Sequence, residues 1–140
     1  MGWIGRRGWL VLFALAIVVQ LVGLYAPRAP SGGGIPGLDK VAHAAMFLAP
    51  ALLGLLAGIR PVVLAPLLVI HAVVSEVVQH LALGERSGDP WDAVADIVGV
   101  AIGLAVGSAL LQRSRDRGSA GRVGDGHDSG SRTGPGAPPA

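Results

Sequence analysis

The sequence predicts an all-α fold: a polytopic membrane bundle of four transmembrane helices with a disordered C-terminal tail. Three observations carry this. Hydrophobic residues fill 51% of the 140 positions and charged residues 14%, against about 25% charged in an average soluble domain. The apolar surplus falls in four blocks, about 9–25, 41–59, 62–83 and 93–111, each near the length of ~20 residues that crosses a bilayer. The segments between and after them are rich in Pro, Gly and Ser. The chain therefore divides into a transmembrane domain, 1–111, and a Gly/Ser/Arg/Pro-rich tail, 112–140. The absence of cysteine excludes disulfides, thiolate catalysis and cysteine-ligated zinc. Five of the eleven basic residues lie in the tail and the net charge is only +2, so no nucleic-acid partner is expected.

The first block, Trp9 to Tyr25, has Gln20 as its only strongly polar residue and an aromatic at each end, where interfacial aromatics belong. Its 17 residues rise to about 25 Å, the short end for a span. A cleaved signal peptide, even a twin-arginine one over Arg6-Arg7, fits less well. The apolar run exceeds an ordinary signal core, and no A-x-A-like site precedes Pro27. An uncleaved first helix is expected. Residues 26–38 form a Pro/Gly/Ser loop that cannot hold a helix.

Asp39 and Lys40 open the second block, Asp39 suiting the positive end of a helix dipole. Pro50 should kink this helix, and Gly54 with Gly58 makes a G-x-x-x-G close-packing signal. Arg60-Pro61 leaves room only for a tight antiparallel turn into the third block. That block, VVLAPLLVIHAVVSEVVQHLAL, carries His71, Ser75, Glu76, Gln79 and His80 inside an apolar span. Ionisable groups cost about 2.5–3.5 kcal/mol each at a helix centre, so they face the bundle interior and are functional candidates. After the polar loop GERSGDPWD comes the fourth block, with Asp96 and then Gly99, Gly103 and Gly107 at four-residue spacing, one face that another backbone can approach closely. The tail has too little apolar surface to offset its ordering entropy and is expected to be disordered.

Arg6, Arg7, Arg60, Arg113, Arg115 and Arg117 flank one set of helix ends. The positive-inside rule then puts both termini in the cytoplasm of a multi-pass membrane protein. In that topology Asp39, Lys40, His43, Glu76, His80, Asp92 and Asp96 all fall in the extracytoplasmic layer, with His71 nearer the midplane. Helical phase favours convergence. Asp39 and His43 differ by about 40°, and Asp92, Asp96 and the three glycines fall within about 80°. The third-helix set spreads over about 180°, too wide for a single contact.

Each candidate has a plainer alternative. Asp39, Lys40 and His43 suit charge relay or substrate anchoring, or helix capping with Lys40 reaching the headgroups. Glu76 with Gln79 and His80 suits a buried acid or base held by an amide, or a structural i,i+4 pair of Glu76 and His80. Arg86, beside Glu85, Asp89 and Asp92, could recognise an anionic headgroup or be a solvated loop. Asp92 alone reads as an N-terminal cap, and Asp92 with Asp96 could extend the carboxylate set around Glu76. His43, Glu76, His80 and Asp96 are acceptable metal ligands by type. No short metal-binding motif joins them, so neither a metal nor another cofactor is assigned.

Four pieces stand in order: Asp39-Lys40-x-x-His43-x-x-x-Phe47, Ser75-Glu76-x-x-Gln79, Arg86, and Asp92-x-x-x-Asp96-x-x-Gly99. This set resembles the VanZ-like family, small bacterial membrane proteins named for a teicoplanin-resistance protein, over about residues 39–107. The family pattern often has Asn where Asp96 stands, and an Asp must carry a proton to donate as an amide does. The resemblance implies a multipass envelope protein, in some members linked to glycopeptide-antibiotic resistance, and no settled chemistry. Three readings stay open. The first is a membrane-embedded enzyme acting at the outer leaflet on a lipid-linked or cell-wall precursor. In it Asp39, His43, Glu76, Gln79, Asp92 and Asp96 are the catalytic candidates, and Lys40, Arg86, Ser75 and His80 bind the ligand. The second is a non-enzymatic envelope protein that binds such a ligand or a partner. The third is an ion-coupled transporter, weakened by the lack of a polar path past His71. Membrane lipids surround the bundle in all three, and the sequence sets no oligomeric state.

Overall fold

The computed structural model describes residues 4–26, 36–82 and 89–124. It contains four helices: α1 (Arg6–Tyr25), α2 (Leu38–Leu56), α3 (Pro61–Ala82) and α4 (Pro90–Gly124). All four are long and apolar enough to cross a membrane. Large apolar side chains stand exposed along every helix, among them Val11, Val19, Val41, Leu67, Ile70, Leu81 and Val98. Such surface is compatible with lipid rather than water around the bundle. The protein is a four-helix membrane bundle, as the block pattern implies.

α2 and α3 form the short diagonal of the bundle and touch every other helix, while α1 and α4 lie on opposite sides without contact. The interior is built from Leu24 of α1, Phe47, Ala51 and Leu55 of α2, Leu64, Leu68 and Ala72 of α3, and Val100 of α4. α1 is peripheral, burying only Gln20 and Leu24.

The most extensive interface joins α2 and α4, and the glycine stripe explains it. A β-carbon on Gly99 would strike the Ala44 carbonyl, and one on Gly103 would stand 2.5 Å from the Leu48 oxygen and 2.8 Å from Ala51 Cβ. On Gly107 it would meet the flexible side chain of Leu55 at 3.0 Å. The first two positions let the α4 backbone lie directly on the α2 backbone, the small-residue packing available within a bilayer. Gly54 serves α1 and α3 similarly, facing Leu64 and Phe13.

Gly58, the other half of the expected G-x-x-x-G, does something else. It is left-handed at φ +84°, and the Gly58 and Ile59 amides donate to the Leu55 and Gly54 carbonyls, both at 2.9 Å. This is the two-bond glycine cap that ends a helix, and it stops α2 at Leu56, three residues before the expected end at 59. Pro61 and Pro90 occupy the first positions of α3 and α4, where a missing N–H is harmless. α2 continues through Pro50 as unbroken helix.

One boundary departs further. α4 runs 35 residues to Gly124, about 52 Å, whereas the expected span ended at 111 and the tail was expected to be disordered from 112. Once a packed span has nucleated a helix, each added residue gains a hydrogen bond at little entropic cost. The Ser114 and Ser119 hydroxyls donate to the Leu110 and Asp116 carbonyls of this extension at 2.7 and 2.8 Å. Residues 125–140 lie outside the described part.

Gly99→Ala should therefore lose about 1–3 kcal/mol of stability, since the colliding atom is backbone. Gly118→Ala, with nothing within 4 Å, should be neutral or stabilising through helix propensity. Thermal unfolding in detergent compares the two.

Candidate functional site

The α2 start, the α3 end and the α4 start meet at one end of the bundle. His43 lies five residues into α2, Glu76 six residues before the end of α3, and Asp96 six residues into α4. At 1.5 Å per residue all three sit about 7–9 Å inside the helix ends. Two layers result, an outer rim around Lys40 and a buried group around His43.

In the rim, the Lys40 ammonium donates to Asp89 Oδ2 at 2.9 Å, Asp92 Oδ1 at 3.1 Å and Asp39 Oδ2 at 3.2 Å. Asp89 is also the N-cap of α4, its Oδ1 accepting from the Trp91 amide at 3.0 Å. The Lys40 ammonium beside it, helped by that amide, holds the Asp89 carboxyl below its ordinary range. The cap is thus Asp89, not Asp92. Asp92 sits one turn further in and uses one oxygen for Lys40 while the other faces His43. Asp39, a catalytic candidate in sequence, is exposed and reaches only its neighbour Lys40. Lys40 itself is saturated by carboxylates and is not a free anion-binding cation.

In the buried layer, His43 is 8% exposed, Glu76 8% and Asp96 0%. His43 Nδ1 is 3.1 Å from Asp96 Oδ1 and 3.8 Å from Glu76 Oε1, and its Nε2 is 3.9 Å from Asp92 Oδ2. Only the first is a hydrogen bond. Both Glu76 oxygens and Asp96 Oδ2 are buried without a well-formed hydrogen bond, although the Asp89 backbone approaches Glu76. A carboxylate only accepts, so against ionised Asp96 the imidazole donates through Nδ1–H, and in its neutral form it keeps a lone pair on Nε2. Asp96 orients the histidine, a role that needs no donated proton and that the oxygen of an asparagine could also fill.

The remaining candidates scatter by helical phase. Ser75 is buried and its hydroxyl donates to the Ala72 carbonyl at 2.9 Å, a bond within its own helix. Gln79 does not hold Glu76; its amide donates to the Leu24 carbonyl at 3.0 Å and ties α3 to α1. His80 is exposed on α3, and among the described residues it makes no pair with Glu76. His71 packs its ring 5.5 Å from Phe47 and lies 3.4 Å from the Tyr25 hydroxyl, an interhelical contact below the cluster. Arg86 lies outside the described residues. Two polar residues named in the sequence took no place among its candidates, Asp89 at the rim and Gln20 elsewhere in the interior. Asp89 was signalled by Asp-Pro at a helix start, an N-cap followed by proline at the first position. Gln20 is fully buried with both side-chain polar atoms unpartnered, and its mark was to be the one polar residue of its span.

The arrangement places a buried carboxylate 3.8 Å from the Nδ1 that His43 shares with Asp96, outside the reach of about 2.6–3.2 Å for direct proton transfer, so chemistry between the two needs a bridging group or a small closure. The described groups at this end comprise five carboxylates (Asp39, Glu76, Asp89, Asp92, Asp96) against Lys40 and His43. Their balance favours a cation at the centre. No protein-family model, curated protein or solved structure matches this chain.

Glu76→Gln should leave the unfolding temperature unchanged or higher, because an amide is cheaper to bury than an unpartnered carboxylate; a marked fall would show that the ionised group is structural. At the rim, the Asp89–Lys40 pair has its full effect at neutral pH. That contribution fades as pH drops through the depressed Asp89 value, below about 3.9. Asp89→Asn should flatten this acid limb in a plot of unfolding temperature against pH.

Proposed function

We propose that this protein is a VanZ-like membrane protein whose buried His43–Asp96–Glu76 group performs acid–base chemistry on a lipid-linked cell-wall precursor at the extracytoplasmic leaflet. The observation that carries the reading is Glu76. It is buried in an apolar bundle, has no well-formed hydrogen bond, and faces a histidine that Asp96 holds in place. A carboxylate kept that way for stability alone is the more expensive choice, since burial of an unpaired charge costs several kcal/mol. The ordered motifs on α2, α3 and α4 that resemble the VanZ-like family are the ones that supply these residues. The orientation follows from charge. Arg6, Arg7, Arg60 and the α4 arginines Arg113, Arg115 and Arg117 belong to the helix ends opposite the cluster, so the positive-inside rule directs the cluster outward.

Binding without turnover is the second reading, favoured by the saturation of Lys40 and by the absence of an assigned nucleophile among the described residues. Ion-coupled transport has less support, because beyond His71 and Gln20 the described interior is the apolar set Ala51, Leu55, Leu64 and Leu68.

Protein in lipid nanodiscs should convert a polyprenyl-pyrophosphate-linked precursor, with the rate falling about 10²–10⁴-fold in Glu76→Gln and His43→Ala. Saturable binding without product would support the second reading, and neither binding nor product would overturn both. Trp91→Cys, at the exposed start of α4, should react with a membrane-impermeant maleimide added to intact cells. Labelling only after lysis would reverse the orientation.

A further inference from the structure

We propose that His43, Glu76 and Asp92 form a site for a divalent first-row transition cation, with Asp96 as the group that orients the histidine ligand. One ligand atom from each of the three residues lies within 4.8 Å of the other two. Ligand atoms around a cation with ~2.0–2.1 Å bonds stand about 3.3 Å apart, so contraction by up to about 1.5 Å, within side-chain reach, closes the site.

Two further observations point the same way. Glu76 is more than nine-tenths buried, has no well-formed hydrogen bond on either oxygen, and approaches the His43 ring. A group buried in that state needs either a proton or a cation. The His43–Asp96 hydrogen bond of 3.1 Å is the carboxylate–histidine contact that fixes the tautomer of metal-bound imidazoles and strengthens them as ligands. The free lone pair it leaves on Nε2 stands 3.9 Å from Asp92 Oδ2. Asp92 has its other oxygen on Lys40, so that ion pair positions the third ligand from outside. One imidazole and two carboxylates suit zinc or manganese better than a soft thiolate-seeking metal, and three protein ligands leave coordination positions open.

The inference deepens the function proposed above and rests on it for the substrate class. With Lys40 saturated, the described cluster alone repels a pyrophosphate. A bound dication supplies the positive charge and the open positions that phosphate oxygens take. The site would therefore select a phosphate-bearing lipid through the metal.

The test separates the two claims. Full-length protein stripped with chelator and returned to nanodiscs should take up one equivalent of Zn²⁺ or Mn²⁺ per chain, measured by elemental analysis and titration calorimetry. Added metal should also raise the unfolding temperature of the unmodified protein, a readout that needs no variant to fold. Uptake should be lost in Glu76→Gln and His43→Ala, weakened about 10–100-fold in Asp96→Ala, and kept in His127→Ala. No stoichiometric uptake and no thermal shift would overturn the metal site, even with turnover intact. So would uptake that persists in the Glu76→Gln/His43→Ala double variant, which marks adventitious binding. Specific uptake without turnover would uphold the metal site and overturn the enzymatic reading.

Discussion

The close approach of α2 and α4 governs the site. Ala44 on α2 follows His43, and Gly99 on α4 lies three residues after Asp96, less than one turn away. Because Gly99 carries no β-carbon, the two backbones meet there, and the side chains just above are brought into hydrogen-bond range. A side chain at Gly99 would push the α4 backbone away from Ala44 and lengthen the neighbouring His43–Asp96 contact. The glycine stripe is thus a condition for the buried layer as well as a packing motif, and the sequence places it beside the residues it serves.

α3 contributes differently. It meets α4 and α2 less intimately, and its carboxylate reaches the imidazole without closing a hydrogen bond. The buried layer is therefore one tight contact with a third group held slightly apart, an arrangement with room for a proton, a water or an ion between its members. The rim above has the opposite character: three carboxylates converge on one ammonium at hydrogen-bonding distance. Asp92 belongs to both layers. Loss of the rim lysine would accordingly alter the geometry at His43 through the shared carboxylate.

Much of this was legible in the chain. Four apolar blocks set the number of spans, because hydropathy over ~20 residues integrates many weak preferences. The gathering of polar residues at one end followed from their position along each block. Azimuth was harder. The i,i+4 spacing of Glu76 and His80 suggested a pair, yet on α3 one turns inward and the other outward, because the helix buries a narrow face while the polar set spans half its circumference. Gly58 looked like a packing glycine and is a helix terminator, since spacing alone does not reveal a left-handed backbone. Asp92 was read as a cap because it borders the apolar block; Asp89, just before Pro90, holds that position. Gln79 pairs with a backbone carbonyl on α1, a partner invisible to side-chain patterns.

α4 carries a last consequence. It is unbroken from Pro90 to Gly124, with Asp96 near one end and Arg117 about 31 Å away near the other. The hydrocarbon slab is about 30 Å thick, so one stiff rod joins the buried cluster to the opposite membrane face. The arginine end and the carboxylate that steers His43 therefore belong to one continuous helix, whose glycine stripe is its contact with α2.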